Sequence, residues 1–170
     1  RLAGHKAGTE NIRRIIKSFV EYGVRYLTIY AFSTENWRRP DEEVTGLMGL
    51  LQDVIHSEVQ SLHKQGVRIR HLGRLDRLPA DLRESMCSAI ELTKNNKTLN
   101  LNVAFDYGGR AEILEAVKSM LTQGISPSQV TEDLFQRFLY SADIPDPDLI
   151  VRTGGEMRIS NFLLWQSAYS

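Results

Sequence analysis

Cationic and hydroxyl side chains are concentrated in the segment R-T-G-G-E-M-R-I-S, residues 152–160. Arg152 and Arg158 can each present a fork of N–H donors, and the paired glycines let backbone N–H groups approach a ligand closely. Donors of this kind suit a cluster of anionic oxygens such as a diphosphate. A structural turn with solvated arginines is the alternative interpretation of the same residues.

A second polar segment, S-T-E-N-W-R-R-P, occupies residues 33–40. Ser33 and Asn36 offer short hydrogen-bonding groups, Trp37 a large apolar face and Arg39 a cationic fork. This combination suits a ligand with a charged head and an apolar body. Alternatively, Asn36 is an ordinary turn former and Trp37 anchors the core.

Two further segments precede predicted helices. In Gly4–Gly8 the imidazole of His5 could donate to an anion at a helix amino end, or could simply form a local hydrogen bond. The segment Asp106–Arg110 could also hold an anion. For that segment we favour a structural turn, with Arg110 as a surface charge.

Composition narrows the class of protein. The formal net charge is zero, which weighs against nucleic-acid binding, although 15 of the 21 basic residues are arginine. The sequence contains no apolar stretch of transmembrane length and no phosphate-loop, G-x-S-x-G or metal-spaced Cys/His motif. Cys87 is predicted to be a buried structural thiol, and a reducing, cytoplasmic location fits it.

Helical and strand patterns alternate along the chain. We expect a single α/β domain over residues 1–170, with a mainly parallel central sheet flanked by helices. The strands are predicted at 24–32, 67–72, 99–105 and 149–151. The helices are predicted at 9–22, 40–65, 79–95 and 109–123, after the cap Thr131, and at 161–169. The apolar stripe of the 40–65 helix could line a groove or pack in the core.

This topology predicts where a ligand binds. In open parallel sheets, ligands bind beyond the carboxyl ends of the strands. The loops expected there are residues 33–40, 73–77, 106–110 and 152–160, and each contains at least one arginine. Their convergence favours a phosphate site at this edge.

Three motifs together resemble the cis-prenyltransferase family of undecaprenyl diphosphate synthase-like isoprenyl transferases. They are G-H-K-x-G at 4–8, A-F-S-T-E-N-W-x-R-P at 31–40 and R-T-G-G-E-x-R-I-S-N-F-L-L-W-Q at 152–166. The resemblance implies Mg²⁺-assisted cis-prenyl chain elongation. Isopentenyl diphosphate is condensed onto an allylic diphosphate such as farnesyl diphosphate, giving a long polyprenyl diphosphate. It also implies a homodimer.

The resemblance further implies roles for individual residues. Asn36 matches a catalytic position and Glu43 a loop hinge. A neutral amide is a poor base, so Asn36 is expected to position substrate while a diphosphate oxygen or His5 takes the proton. Positions expected to contact substrate are Arg1, His5, Ser33, Thr34, Glu35, Trp37, Arg39, Arg152, Arg158, Ile159 and Ser160.

The family's magnesium-associated carboxylates are expected outside residues 1–170, on an Asp upstream of Arg1 and a Glu downstream of Ser170. We therefore expect the first and last elements of the family domain to be missing, and no metal ligand within this sequence. A non-catalytic, diphosphate-binding partner subunit of a cis-prenyltransferase is the alternative function. Retention of both the 33–40 and 152–160 motifs favours the enzyme.

Overall fold

The computed structural model describes the backbone of residues 2–170 and the side chains of residues 11–170. Helices and strands alternate over most of this length. The order is α1 (Leu2–Glu21), β1 (Tyr26–Ser33), α2 (Asp41–Lys64), β2 (Val67–Leu72), α3 (Ala80–Thr93), β3 (Leu99–Tyr107), α4 (Gly109–Thr122) and α5 (Glu132–Gln136). A 3₁₀ turn over Thr34–Arg38 joins β1 to α2, and another covers Pro127–Gln129.

The sheet has three parallel strands in the order β1-β3-β2. Leu101 of the central strand lies opposite Leu27 on one side and Ile69 on the other. Because β3 is covered on both faces, all of its residues except Asn100 and Val103 are buried, including the polar Asn102 and Asp106. The first strand was expected to be buried, but among its residues only Phe32 is fully enclosed. Among the described residues β1 pairs with β3 alone, and its other side is uncovered, which accounts for its partial exposure.

Helix α2 begins directly after Pro40, as predicted, and carries three acidic residues in its first turn. Val44, Leu47 and Met48 on its apolar stripe are buried in a core cluster with residues of α3 and the sheet. At these positions the stripe packs in the core. Helix α1 covers a second cluster built on β2 and β3, and α4 and α5 pack around a third.

Two predicted elements near the end of the chain are wrong. Residues 149–151 do not form a strand, and Leu149 and Val151 are each 74% exposed. Among the described residues this run pairs with no strand, and an extended segment needs such a partner to satisfy its backbone groups. Residues 161–169 form turns instead of a helix, because Asn161 and Leu163 have positive φ values of 65° and 45°.

Two other expectations also fail. The G-H-K-x-G motif was placed before the first helix, but its backbone lies within α1, which begins at Leu2. Cys87 is exposed because it points away from the side of α3 that buries Met86 and Ala89. Among the described residues, no helix is both long and apolar enough to cross a membrane.

Candidate functional site

The carboxyl ends of the three parallel strands bring three of the arginine-bearing loops to one edge of the sheet. Residues 33–40 follow β1, residues 73–77 follow β2, and residues 106–110 span the end of β3 and the start of α4. This common edge is what the alternating pattern predicted. The fourth loop, residues 152–160, reaches it through the residue that follows, Asn161.

The 33–40 loop is folded upon itself. The backbone N–H of Ser33 donates to Oδ1 of Asn36 at 2.9 Å, which stabilises the start of the 3₁₀ turn. Arg39 Nη1 lies 2.6 Å from Oε1 of Glu43, one turn further along the chain. The acceptor oxygen of Asn36 is therefore engaged within the loop, and the predicted hinge residue Glu43 is ion-paired with the predicted binding residue Arg39.

Trp37 attaches this loop to the other strand ends. Its Nε1–H donates to Oδ1 of Asp106 at 2.6 Å, and its ring meets Phe32 edge-on at a centroid distance of 5.2 Å. The guanidinium of Arg77 lies over the indole, 4.6 Å from the ring centroid. Trp37 thus packs against the core, as its alternative interpretation expected, and also joins three loops. Its contact with a ligand stays a prediction.

Asn161 connects the 33–40 loop with helix α4 and the end of the 152–160 loop. Its Nδ2 donates to Oε1 of Glu35 at 2.8 Å. Its Oδ1 accepts from the backbone N–H of Arg110 at 2.9 Å, and its carbonyl accepts from Gly109 at 2.8 Å. The first N–H groups of α4 are occupied by these bonds. The Gly109–Arg110 turn therefore has the structural role that we favoured for it.

Close packing at this junction requires glycine. A Cβ atom added to Gly108 would lie 2.5 Å from Oγ1 of Thr34 and 2.8 Å from Nδ2 of Asn161. The absence of a side chain at Gly108 lets the 33–40 loop, the start of α4 and Asn161 meet.

The pKa values of two residues at this junction are shifted. Burial alone would raise the pKa of Glu35, but hydrogen bonds from its own backbone N–H and from Asn161, Ser33 and Thr34 outweigh burial and lower it. Burial, together with the nearby charge of Glu35, raises the pKa of Tyr30 to about 12. Glu35 therefore holds a negative charge, and Tyr30 stays protonated at neutral pH.

The 152–160 loop is fully exposed. Nη1 of Arg152 donates to Oγ of Ser160 at 2.7 Å and to the carbonyl of Arg158. Gly154 and Gly155 adopt positive φ values of 98° and 75°, which fold the loop back so that its ends meet. The side chain of Arg158 lies 3.3 Å from Glu156. The structure therefore brings Arg152 and Ser160 together, while the guanidinium of Arg158 has a local carboxylate partner.

A cavity of about 200 Å³ lies between the two motifs and is lined by Glu35, Arg110, Asn161 and Leu164. It combines a carboxylate, a guanidinium and an amide with one apolar side chain. None of the predicted residues of the 152–160 loop lines it. Glu35 is the only predicted substrate-binding residue among those that do.

A buried acid close to this edge was not predicted from the sequence. Glu112 is 1% exposed, and its carboxylate accepts from the Tyr107 hydroxyl, from Nε2 of Gln166 and from the Tyr140 backbone. Burial outweighs these bonds and raises the pKa of Glu112. An acidic residue in the first turn of α4 resembles an ordinary helix-start residue, so the sequence carried no signal of this network.

The remaining predicted positions are less informative. Thr34 Oγ1 donates to Glu35 at 3.3 Å, and Ile159 is 42% exposed. Arg1 and the side chain of His5 lie outside the described residues. Asp106 and Asn161, which were not predicted as site residues, make most of the contacts that join these loops.

The fold and the converging polar loops define a class of protein, an α/β domain with a candidate anion site at the carboxyl edge of its sheet. Comparison with known proteins identifies the family. The model described as "Putative undecaprenyl diphosphate synthase" matches residues 1–170. The chain belongs to this family of isoprenyl transferases, which confirms the resemblance drawn from the three motifs.

Individual relatives agree with this assignment. The chain is 51% identical to an isoprenyl transferase of Heliobacterium mobile over its whole length and covers 67% of that protein. The identity is 50% with an isoprenyl transferase of Clostridium tetani, of which 68% is covered. The chain thus spans about two thirds of these relatives.

Solved structures share the fold. A probable undecaprenyl diphosphate synthase from Campylobacter jejuni superposes with a TM-score of 0.88 at 33% identity, over 96% of this chain and 78% of that one. Lavandulyl diphosphate synthase from Lavandula x intermedia was solved in complex with dimethylallyl diphosphate. It superposes with a TM-score of 0.90 at 34% identity, over 97% of this chain and 73% of that one. The predicted α/β class with a parallel sheet flanked by helices is confirmed.

Proposed function

We propose that this chain is the diphosphate-handling part of a cis-prenyl chain-elongating transferase, which condenses isopentenyl diphosphate onto an allylic diphosphate. The observation that carries the proposal is the bond from Asn161 to Glu35. It joins two motifs that are 126 positions apart in the sequence. This bond, made by the residue that directly follows the 152–160 loop, supports the proposal that the 33–40 and 152–160 loops serve one site.

The 152–160 loop is proposed to hold isopentenyl diphosphate. Nη1 of Arg152 contacts Ser160 and the Arg158 carbonyl, which leaves further N–H donors of the fork for phosphate oxygens. Arg158 must exchange Glu156 for the substrate, and a doubly charged phosphate group is the stronger partner. Each charge-assisted hydrogen bond contributes about 1.5–3 kcal/mol, enough for several donors together to compete with water.

The 33–40 loop is proposed to act on the allylic substrate. Trp37 supplies an apolar face, and Arg39, 39% exposed, can exchange its bond to Glu43 for a phosphate oxygen. A structural neighbour was solved with dimethylallyl diphosphate, an allylic diphosphate, which supports this substrate class. His5 and Arg1 are proposed as additional contacts to the allylic diphosphate.

Asn36 is proposed to position substrate. Because its Oδ1 already accepts from Ser33, its Nδ2 is the group left to donate to a substrate oxygen. A neutral amide does not remove a proton at neutral pH, so a diphosphate oxygen or His5 is the proposed acceptor.

Magnesium is proposed as the cofactor of this reaction. It would stabilise the negative charge of the departing diphosphate. The described residues do not contain three or more His, Cys, Asp or Glu side chains grouped so that they could hold a metal ion. The roles proposed above need no contact with the metal.

A homodimer is also proposed. The apolar segment Phe162–Trp165 contributes to the core of this chain. Phe162 stacks on Tyr30 at a centroid distance of 4.6 Å, and Trp165 lies against Phe135 at the same distance. Sedimentation of the purified chain tests the assembly directly.

Incorporation of labelled isopentenyl diphosphate into an organic-extractable product tests the function. The reaction contains the chain, an allylic diphosphate primer and Mg²⁺, and Arg152→Met is compared with Arg137→Met, a change at an exposed arginine. We expect incorporation that Arg152→Met abolishes and Arg137→Met leaves intact. Binding of isopentenyl diphosphate without incorporation would favour the partner-subunit function, and the absence of both would overturn the proposal.

A further inference from the structure

Asp106 holds a carboxylate in an unusual position at the end of the central strand. The residue is 1% exposed, and its φ of 48° lies in the left-handed region that non-glycine residues seldom adopt. A buried charge at such a place is costly unless other groups compensate it. Its environment therefore indicates what the residue does.

Groups from two loops compensate the charge of Asp106, and both contact the same carboxylate oxygen. Trp37 Nε1 donates to Oδ1 at 2.6 Å, and Nη1 of Arg77 lies 3.6 Å from the same atom. The other oxygen, Oδ2, is buried and has no hydrogen-bond partner among the described residues. Within the described part of the chain, the bond from Trp37 is the one close hydrogen bond of this carboxylate, and moving the indole away would break it.

Arg77 contacts both Trp37 and Asp106 from the solvent side. Its side chain is 39% exposed, and its guanidinium lies 4.6 Å from the centroid of the Trp37 ring. A cation over an indole face is attracted to it, most strongly when water is excluded. Asp106, Trp37 and Arg77 therefore contact one another pairwise, and we call this arrangement the Trp37 clamp.

The Trp37 clamp has a direct connection to the proposed chemistry. Trp37 lies within the 3₁₀ turn Thr34–Arg38, next to Asn36 and two residues before Arg39. The side chain of Asn36 accepts from the backbone of Ser33, the last residue of β1, and that of Arg39 bonds to Glu43 of α2. The indole therefore attaches the middle of this loop to the end of β3 and to the loop that follows β2.

We propose that Asp106 is a positioning residue that acts through Trp37, with Arg77, to hold Asn36 and Arg39 at the sheet edge. Its effect on catalysis rests on the proposed function, whereas the attachment of the loop does not. Losing the clamp would release the 33–40 loop and weaken use of the allylic diphosphate before it affected the 152–160 loop.

Fluorescence of Trp37 tests the attachment without any substrate. The chain has two tryptophans, so Trp165→Phe leaves Trp37 as the only one. In that background we compare Asp106→Gly, Asp106→Asn and Arg77→Met by acrylamide quenching. Glycine removes the side chain yet tolerates the φ of 48°, and Asn keeps an oxygen that can accept from the indole. Asp53→Asn and Arg83→Met at exposed helical positions are the matched controls.

A hydrogen bond to an ionised group corresponds to a preference of about tenfold or more for the attached loop. We therefore expect Asp106→Gly to make Trp37 clearly more accessible to quencher. Asp106→Asn and Arg77→Met should have intermediate effects, and both controls should match the parent. Unchanged quenching in Arg77→Met and Asp106→Asn, which are the variants least disruptive to folding, would overturn the proposal.

Steady-state kinetics distinguishes a role of Asp106 in positioning the 33–40 loop from a role in overall folding stability. For Asp106→Gly we expect KM for the allylic diphosphate to rise about tenfold, with partial rescue in Asp106→Asn and with isopentenyl diphosphate affinity unchanged. Equal losses for both substrates would indicate general unfolding and contradict the positioning role. If wild type binds neither substrate but quenching changes as expected, the proposed function fails and the Trp37 clamp stands.

Discussion

Single side chains with several partners determine how this edge of the sheet is built. Asn161 is the clearest example, because its amide and carbonyl together contact Glu35, Arg110 and Gly109. An amide can donate and accept at once, which a carboxylate or an ammonium group cannot do. Asn also tolerates the left-handed backbone that this position adopts, with φ of 65°.

Replacing Asn161 should therefore be destabilising. Asn161→Ala leaves the Arg110 N–H without its partner, removes one hydrogen bond of the Glu35 carboxylate and places alanine at a positive φ. We expect a loss of about 2 kcal/mol in the free energy of unfolding, measured with urea. Asn95→Ala, at an exposed turn, is the matched control and should change stability little. Equal effects of the two substitutions would contradict the role given to Asn161.

Asn36→Asp separates the loop contact of Asn36 from its proposed contact with substrate. An aspartate oxygen can still accept from the Ser33 N–H, so the unfolding free energy should change by less than about 0.5 kcal/mol. The donor Nδ2 is lost, and a negative charge is placed near a diphosphate. Turnover should fall about tenfold or more at saturating substrate. Wild-type turnover in Asn36→Asp would remove the support for a positioning role.

At the scale of elements, the loops depend on close approach of the strand ends. Gly73 follows β2 with φ of 128°, and a Cβ atom there would lie 2.3 Å from the carbonyl oxygen of Phe105. The neighbour is backbone of the central strand and cannot move aside cheaply. Gly124, after α4, has φ of 70° but open space around it.

These two glycines give a matched pair of substitutions. Gly73→Ala should destabilise by about 3 kcal/mol or more, because a steric clash adds to an unfavourable φ. Gly124→Ala should lower the free energy of unfolding by only about 1 kcal/mol, because only its backbone conformation is unfavourable. Thermal or urea unfolding of both variants provides the comparison. If both lost the same free energy, the contact between the ends of β2 and β3 would not matter as described.

Elements with a local signal could be predicted from the sequence. Pro40 and three acids marked the start of α2, and Thr131 does cap α5, accepting from the Leu134 N–H at 3.1 Å. The 149–151 and 161–169 segments failed because their structure depends on distant partners. The turns after Ser160 follow from positive φ values and from the bonds of Asn161, neither of which leaves a periodic pattern.

The general position of the candidate site could be predicted from the order of strands and helices. Strand-end loops must share an edge in a parallel sheet, so the convergence of the 33–40, 73–77 and 106–110 loops followed from topology. The place of the 152–160 loop did not, because the strand predicted before it does not form. Which side chains meet did not follow. Asp106 bonds to Trp37 across 69 positions, and Glu112 accepts from Gln166 across 54, and spacing along the chain carries no record of such pairs.

For the whole molecule, several carboxylates couple stability to pH. Hydrogen bonds lower the pKa of Glu35, where they outweigh burial, and the bond from Arg13 lowers that of Glu58. A group whose folded pKa is depressed stabilises the fold above its unfolded value and loses that contribution as pH falls through the folded value. Glu112 has the opposite sign, since burial raises its pKa and its contribution is lost as pH rises.

The free energy of unfolding should therefore fall as pH drops below about 4.3, the value for an unfolded glutamate. The double variant Glu35→Gln and Glu58→Gln should show a shallower decline between pH 5 and pH 3 than wild type. Urea titrations across this range measure both slopes. Parallel curves would show that these two carboxylates are not responsible for acid sensitivity.

The central claim is that the 152–160 loop binds the diphosphate of isopentenyl diphosphate. Calorimetric titration of this ligand into the 170-residue chain tests it most directly, with Arg152→Ala, Arg158→Ala and the exposed control Arg137→Ala. The account predicts saturable binding that each of the first two substitutions weakens about tenfold or more, while Arg137→Ala binds like wild type. Binding that is absent, or that all three substitutions affect equally, would contradict it.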